Sequence, residues 1–339
     1  VPTTLLVMTV VVVALSLAFG LVNGFRDAPN AIALPVRSRA LTPGSALVLA
    51  AAMNAVGGVL SGGLLSTAWA ALPPGLYQGG SGLLLGTAAL LGAVGWGLFA
   101  WARGMPVSMT HSLLAGLVGG SAALAITGDH GIDMDWWWGL VLVVTLGLVV
   151  TPGLAWLLSW LLVTPAAWLG REAATRTVNR VARMALSVTG AANALGHGVQ
   201  SGQRVSFGLL LAFVPAGISL GSAWWIPVLA GGILGLGTLL GGWRIAHTLT
   251  ERIVVLDPLR SAVASTVSAL LLFAGSYALH LPLSSTHATV GAIAGAGQNQ
   301  RYTAVRWQEL SRIASYWVVT FLACGGAALL LAAAGTPLL

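Results

Sequence analysis

Pro106-Val107-Ser108-Met109-Thr110-His111 and Pro282-Leu283-Ser284-Ser285-Thr286-His287 are two copies of one pattern, 176 residues apart in a chain of 339. Each places a proline ahead of small hydroxyl residues and a histidine. Each then runs into glycine-rich apolar sequence, Leu114-Ala115-Gly116-Leu117-Val118-Gly119 and Val290-Gly291-Ala292-Ile293-Ala294-Gly295. Proline followed by Ser and Thr is the chemistry of a helix start. A helix start offers free N–H groups and the positive end of the helix dipole, which together make an anion site. Hydroxyls of Ser108, Thr110, Ser285 and Thr286 add donors.

The sequence around the motifs is that of a bilayer protein. It is 57% hydrophobic and only 7% charged, with a mean hydropathy of +0.91, against about 25% charged residues in a soluble domain. Apolar runs occupy roughly 3–34, 41–65, 80–102, 105–127, 136–163, 184–211, 218–243, 261–279, 282–300 and 313–334. Spanning the hydrocarbon core takes about 20 apolar residues, so the expectation is an all-α polytopic protein of about ten to twelve membrane segments, some broken or re-entrant. The first run lacks the basic flank of a signal peptide and reads as a retained span. The single cysteine, Cys324, excludes an internal disulfide and a cysteine-rich metal site.

All 15 basic residues are arginine, against 8 acids, for a net charge of +7. They lie between apolar runs, so they read as cytoplasmic loop charge and not as a nucleic-acid surface. Arg37 and Arg39 follow the first run and Arg103 the third; Arg171, Arg176, Arg180 and Arg183 follow the fifth. Arg244, Arg252 and Arg260 precede the eighth, and Arg301, Arg306 and Arg312 follow the ninth. The intervening loops carry no charge (66–79 and near Pro215), or acids only (Asp129, Asp133, Asp135), or His280. With the arginine loops inside, ten segments thread from an outside N-terminus to an outside C-terminus. Five segments per half is an odd number, so the two copies must be inverted. The expected organisation is residues 1–170 as the first repeat, 171–183 as an arginine-rich cytoplasmic linker and 184–339 as the second repeat. Inverted repeats belong to secondary transporters, whose sites lie between broken helices at the midplane.

The first run ends in Asn23-Gly24-Phe25-Arg26-Asp27-Ala28-Pro29-Asn30. Gly24 and Pro29 are expected to break the helix there, and freed backbone at depth must line a cavity or meet other protein. Asp27 is the one acid placed within a span, where an ionisable group is costly and a functional candidate. Its plain structural alternative is a partner for Arg26. The corresponding stretch, Gly196-His197-Gly198-Val199-Gln200-Ser201-Gly202-Gln203-Arg204, again has glycine breaks and polar residues but no acid. His197 is a proton carrier or a helix-contact histidine. Arg26 and Arg204 either turn inward or reach for the headgroups.

At these residues the chain resembles the inorganic phosphate transporter (PiT) family. Gly24–Asn30 resembles its G-A-N-D-V-A-N motif, Gly196–Arg204 its second copy, and the two Thr-His motifs its hairpins. Gly242-Trp243-Arg244-Ile245-Ala246-His247-Thr248-Leu249 and Ala304-Val305-Arg306-Trp307 are similar to further stretches. The resemblance implies cation-coupled phosphate symport, no cofactor beyond the coupling ion, and a homodimer. It assigns substrate contacts to Arg26, Ser108, Thr110, His111, Gln200, Ser201, Gln203, Arg204, Ser284, Ser285, Thr286 and His287, and cation (metal) binding to Asp27 and Asn30. The departures fall on the cation ligands. Arg26 replaces the first motif's Asn. Gln200 and Ser201 replace the second motif's Asn and Asp, and Ser265 falls where the family has a Glu. Hard cations want charged oxygen ligands, so the expected coupling is to protons or to fewer sodium ions. The alternatives are a sulfate or other oxyanion permease of the same fold and, more remotely, an intramembrane serine protease built on Gly79-Gly80-Ser81-Gly82, glycine-rich sequence that fits a linker equally well.

Overall fold

The computed structural model describes residues 2–64, 78–127, 134–219, 223–279, 281–300 and 304–339. The expectations placed on most of the uncharged 66–79 loop, on Asp129 and Asp133, and on His280 and Arg301 lie outside the described residues. Eleven α-helices make up the described fold, with no strand among them: α1 (Thr3–Arg37), α2 (Pro43–Leu60), α3 (Gly79–Ala102), α4 (Met109–Ile126), α5 (Met134–Leu169), α6 (Thr175–Phe213), α7 (Trp225–Leu240), α8 (Trp243–His247), α9 (Pro258–Phe273), α10 (Ser285–Gln298) and α11 (Trp307–Gly335). Single π-helical turns extend α8 at Thr248–Arg252 and α9 at Ala274–Ala278.

Local chemistry fixes several starts. Thr42 accepts from Ser45 N ahead of Pro43, and Asp257 accepts from Arg260 N ahead of Pro258, a capping side chain with proline at the first helical position. Seven helices are long and apolar enough to cross a membrane, eight when the α7–α8 pair, bent by 63°, is counted as one span. Two of the ten apolar runs are not in that number. The α6 helix carries Arg176, Arg180, Arg183 and Arg204, and α10 has only 14 residues, about 21 Å at 1.5 Å per residue against the roughly 30 Å of a bilayer core. The expected linker 171–183 is largely helical, because α6 begins at Thr175.

The helices pair in a reciprocal pattern. Under the correspondence α1 with α6, α2 with α7, α3 with α9, α4 with α10 and α5 with α11, every major contact has its counterpart. Thus α1–α3 answers α6–α9, α3–α4 answers α9–α10, and α1–α7 answers α6–α2. The closest exchange is that α4 packs on α11 while α10 packs on α5. Glycine makes both of the last contacts possible. A Cβ at Gly119 would lie 1.9 Å from Gly325 O, and one at Gly295 would lie 2.0 Å from Trp156 O.

The two expected helix breaks are absent. Both α1 and α6 run uninterrupted through the polar motifs, α1 with Pro29 and Pro35 inside it. Their glycines serve close approach: Gly24 meets Leu234 and Gly237 of α7, and Gly198 and Gly202 meet Asn54 and Gly58 of α2. Pro29 cannot donate to Phe25 O, and Gly242 at the α7–α8 bend packs against that oxygen and the proline ring. The break therefore falls in the partner helix, not in α1.

The loops sort into two ends. Arg37 pairs with Glu251, Arg306 donates to Glu251 O, Arg244 to Ala102 O and Arg260 to Asn299 O. At the other end Gly79 N donates to Pro215 O, and Thr127 bonds Thr336 near the C-terminus. The described arginines other than Arg26 and Arg204 thus belong to one end of the bundle, and the C-terminal residues to the other.

Candidate functional site

The two Thr-His motifs become what their chemistry requires. Residues 105–108 and 281–284 are non-helical, and Ser108 and Ser284 adopt nearly the same N-cap geometry, φ −94° ψ 118° and φ −97° ψ 119°. Ser108 Oγ accepts from His111 N at 3.2 Å and Ser284 Oγ from His287 N at 3.3 Å. From here α4 runs to the C-terminal end of the bundle and α10 to the arginine end, so the two helices diverge from a shared centre. Their beginnings touch. Thr286 Oγ1 donates to Val107 O at 3.3 Å, and the His111 and His287 rings lie 4.7 Å apart between centroids. His287 also packs on Trp317, whose indole N–H donates to Pro106 O.

Side chains from α1 and α6 reach into this centre. Arg26, 0% exposed, donates through Nη2 to Val107 O and to Asp27 Oδ1, the latter at 2.8 Å. Four residues on, Asn30 donates to Ser285 Oγ and Thr286 Oγ1, both at 3.2 Å. From α6, Arg204 donates to Gln200 Oε1 at 2.8 Å and to Leu283 O at 3.3 Å. Val107 and Leu283 hold corresponding places in the two motifs, so the carbonyl ahead of each N-cap is held by an arginine, from unlike positions on the corresponding helices α1 and α6. Gln200 donates to Ser276 Oγ and Leu281 O. Neither Arg26 nor Arg204 reaches for the headgroups.

Asp27 joins two networks. One oxygen pairs with Arg26, and Oδ2 lies 3.6 Å from His197 Nε2. The same Nε2 lies 3.0 Å from Ser201 Oγ, and His197 Nδ1 meets Asn54 Oδ1 at 2.9 Å. Asn54 in turn donates to Thr238 Oγ1 at 2.7 Å. Asp27 therefore makes the ion pair with Arg26 that its structural reading expected, on a buried group. Ser265 sits apart, bonded to Thr189 and Asn193 at the α6–α9 contact.

Of the sequence candidates, Arg26, Asp27, Asn30, Ser108, Thr110, His111, Gln200, Ser201, Arg204, Ser284, Ser285, Thr286 and His287 are drawn in toward this centre, all buried except the half-buried Arg204. Gln203 is half-buried and, among the described residues, takes no part in these bonds. Asn54 and Thr238 were not anticipated; an amide alone in an apolar run was their signal. Ser81 lies in the first turn of α3 at the arginine-free end, remote from the histidines of the motifs. Among the described residues no three His, Cys, Asp or Glu side chains gather as a metal site. Several polar atoms remain spare: the donors Arg26 Nε and Nη1 and Arg204 Nε, and the ring nitrogens His111 Nδ1 and His287 Nε2, are buried without a partner among the described residues. Unmet donors at two positive helix ends make an anion the natural occupant.

Comparison with known proteins agrees. The model of the phosphate transporter family matches residues 23–328. A probable low-affinity inorganic phosphate transporter of Bacillus subtilis (strain 168) is 30% identical over 320 residues, covering 93% of both chains. One of Rhizobium meliloti (strain 1021) is 35% identical, covering 91% of this chain and 90% of the relative. A solved structure titled the sodium-dependent phosphate transporter superposes with a TM-score of 0.78 over 98% of this chain, at 19% identity, a likeness of fold. With two thirds and more of its length matched by both a family model and full-length relatives, this all-helical multi-pass membrane protein belongs to the phosphate transporter family.

Proposed function

We propose that the protein carries inorganic phosphate across the membrane as a cation-coupled symporter. The observation behind the reading is that two capped helix starts, one from each half of the chain, meet at a centre supplied with unmet guanidinium donors. Phosphate is held by the hydroxyls and N–H groups of Ser108, Thr110, His111 and Ser284–His287, with Gln200, Ser201 and the two arginines completing the shell. Guanidinium matches phosphate oxygens in both charge and geometry. Gln203 is left without a role. The relatives' names favour phosphate over sulfate.

The coupling ion is the proton. Asp27 already has a guanidinium on one oxygen and an imidazole near the other, an arrangement that leaves a sodium ion little free carboxylate. Ser201, at the corresponding place, brings no charge, and hard cations bind charged oxygen ligands best. The proton is assigned to Asp27 and its neighbour His197, 3.6 Å apart. Two inverted halves are supported by the exchanged helix pairing and by the opposite courses of α4 and α10. With the arginine end inside, both termini lie outside.

The test is radiolabelled phosphate uptake into proteoliposomes, with sulfate as competitor and imposed gradients. Uptake should persist when choline replaces sodium, rise with an inward proton gradient and collapse in Asp27→Asn. Strict sodium dependence with steep multi-ion cooperativity would refute proton coupling, and equal competition by sulfate would refute phosphate selectivity.

A further inference from the structure

A second cluster of arginines stands outside the transport centre. Arg176, Arg180 and Arg183 recur at four and three residues along the first turns of α6 and so share one face. The 38–42 turn between α1 and α2 brings Arg39 against that face. Together with Thr177 and Asn179 they line a cavity of about 890 Å³. Five other arginines at this end have acidic partners, Arg37 with Glu251, Arg171 with Glu172, Arg252 and Arg312 with Glu309, and Arg260 with Asp257, while Arg244 and Arg306 bond backbone carbonyls and Arg103 stacks on Phe99. Among the described residues none of the four cavity arginines has an acidic partner, and no acid lines the cavity.

Its surroundings mark the level of the water–hydrocarbon boundary. Trp168, 61% exposed, ends α5 one short turn before α6, and the Arg171 guanidinium lies 4.2 Å over its ring. Tryptophan and arginine stacked at a span end are the signature of the headgroup layer. On the same stretch of α6, about a quarter turn around from the arginine face, Val181, Met184 and Val188 are 57%, 65% and 69% accessible. Four cations without acidic partners thus sit beside an outward apolar strip, with Met184 lining the cavity and belonging to the strip. A free phosphate ion would satisfy the charge but leave the strip bare; a lipid satisfies both.

We infer that this cavity binds the phosphate headgroup of an anionic phospholipid, its acyl chains lying along Val181, Met184 and Val188, as a site separate from the transport centre. The shared chemistry, a phosphate oxyanion on arginines, also admits free phosphate or pyrophosphate, and the experiment separates the sources. The full-length protein, delipidated in detergent, is titrated with phosphatidylglycerol and with phosphatidylcholine, and bound lipid is counted by native mass spectrometry. Pyrophosphate binding is measured in parallel by calorimetry. Phosphatidylglycerol should be retained in preference to phosphatidylcholine. Arg176→Gln/Arg180→Gln/Arg183→Gln should weaken it about a hundredfold, from about fivefold per arginine at an anionic surface. Arg252→Gln/Arg312→Gln, at the same end of the bundle, should leave it unchanged. Phosphate uptake in neutral-lipid vesicles should match the parent, which certifies the fold. Should the triple variant not fold, the three single substitutions carry the test at about fivefold each. Equal retention of the two lipids, equal loss in the control variant, or pyrophosphate binding abolished by the triple substitution while phosphatidylglycerol is unaffected would each overturn the inference.

Discussion

Asp27→Asn, Arg26→Met and the double variant form a cycle that tests what the buried pair does. Both side chains are almost wholly enclosed, 0% and 7% exposed, with the charges 2.8 Å apart. At an effective dielectric of about 20 the attraction at that distance is about 6 kcal/mol. Desolvation of both groups offsets most of it, so the net worth of the intact pair is small. Removing one member is a different matter. Asp27→Asn leaves a guanidinium in the interior with Val107 O and a neutral amide. Arg26→Met strips Val107 O of its donor and leaves the carboxylate facing only His197 at 3.6 Å. Each single change should cost about 3–5 kcal/mol. The double variant should lose much less than the sum, a coupling of at least about 2 kcal/mol. Unfolding in mixed micelles of rising SDS fraction reads the stabilities, and proteoliposome uptake reads transport. The double variant should fold and fail to transport, separating the structural role of the pair from its functional one. Additive losses, or single variants within about 1 kcal/mol of the parent, would show that the two charges are not coupled as the geometry requires.

Three further outcomes follow from the same geometry. Thr286→Val keeps the shape but removes a hydroxyl bonded to Asn30 and Val107 O; it and Thr110→Val should each raise the KM for phosphate uptake about five- to tenfold, and parental KM values in both would remove the helix starts from the site. Gly119→Ala and Gly295→Ala would force a methyl onto backbone carbonyls at 1.9 and 2.0 Å and should each cost about 3 kcal/mol in mixed-micelle unfolding. Gly139→Ala, with nothing within 4 Å, should be neutral or stabilising by about 1 kcal/mol; equal losses at all three glycines would refute the close-approach argument. Gln200→Asn/Ser201→Asp supplies a second acid beside His197, so phosphate uptake should become sodium-stimulated; uptake indifferent to sodium would show that carboxylate count does not set the coupling ion.

Much of this was readable from residues because it is local. A proline, a capping serine and a run of small residues specify a helix start wherever they occur, and Ser108 and Ser284 cap as their sequence demands. The apolar runs likewise locate the helices, though the arginine-bearing start of α6 at Thr175 lies outside its run. What was illegible depends on partners far along the chain. Gly24 and Gly198 read as helix breaks, yet their purpose is set by α7 and α2, some 210 and 140 residues away. Pro29 is tolerated because Gly242 brings another backbone against it, a fact no local window contains. Asn54 becomes part of the site only through His197, and whether Arg26 snorkels or turns inward is decided by Val107 O.

The crossed seating of α4 on α11 and of α10 on α5 also bears on how the bundle is made. During synthesis α4 emerges with its glycine face bare, and the helix that covers it, α11, is made only after α5 to α10. The first half therefore waits, inserted but unfinished, until α11 arrives, whereas α10 finds α5 already in place. Maturation is thus gated by α11: a chain ending before Trp307 should be cleared by membrane proteolysis, and supplying α11 as a separate peptide should rescue it. Survival of the truncated chain at full-length abundance would contradict this order of assembly.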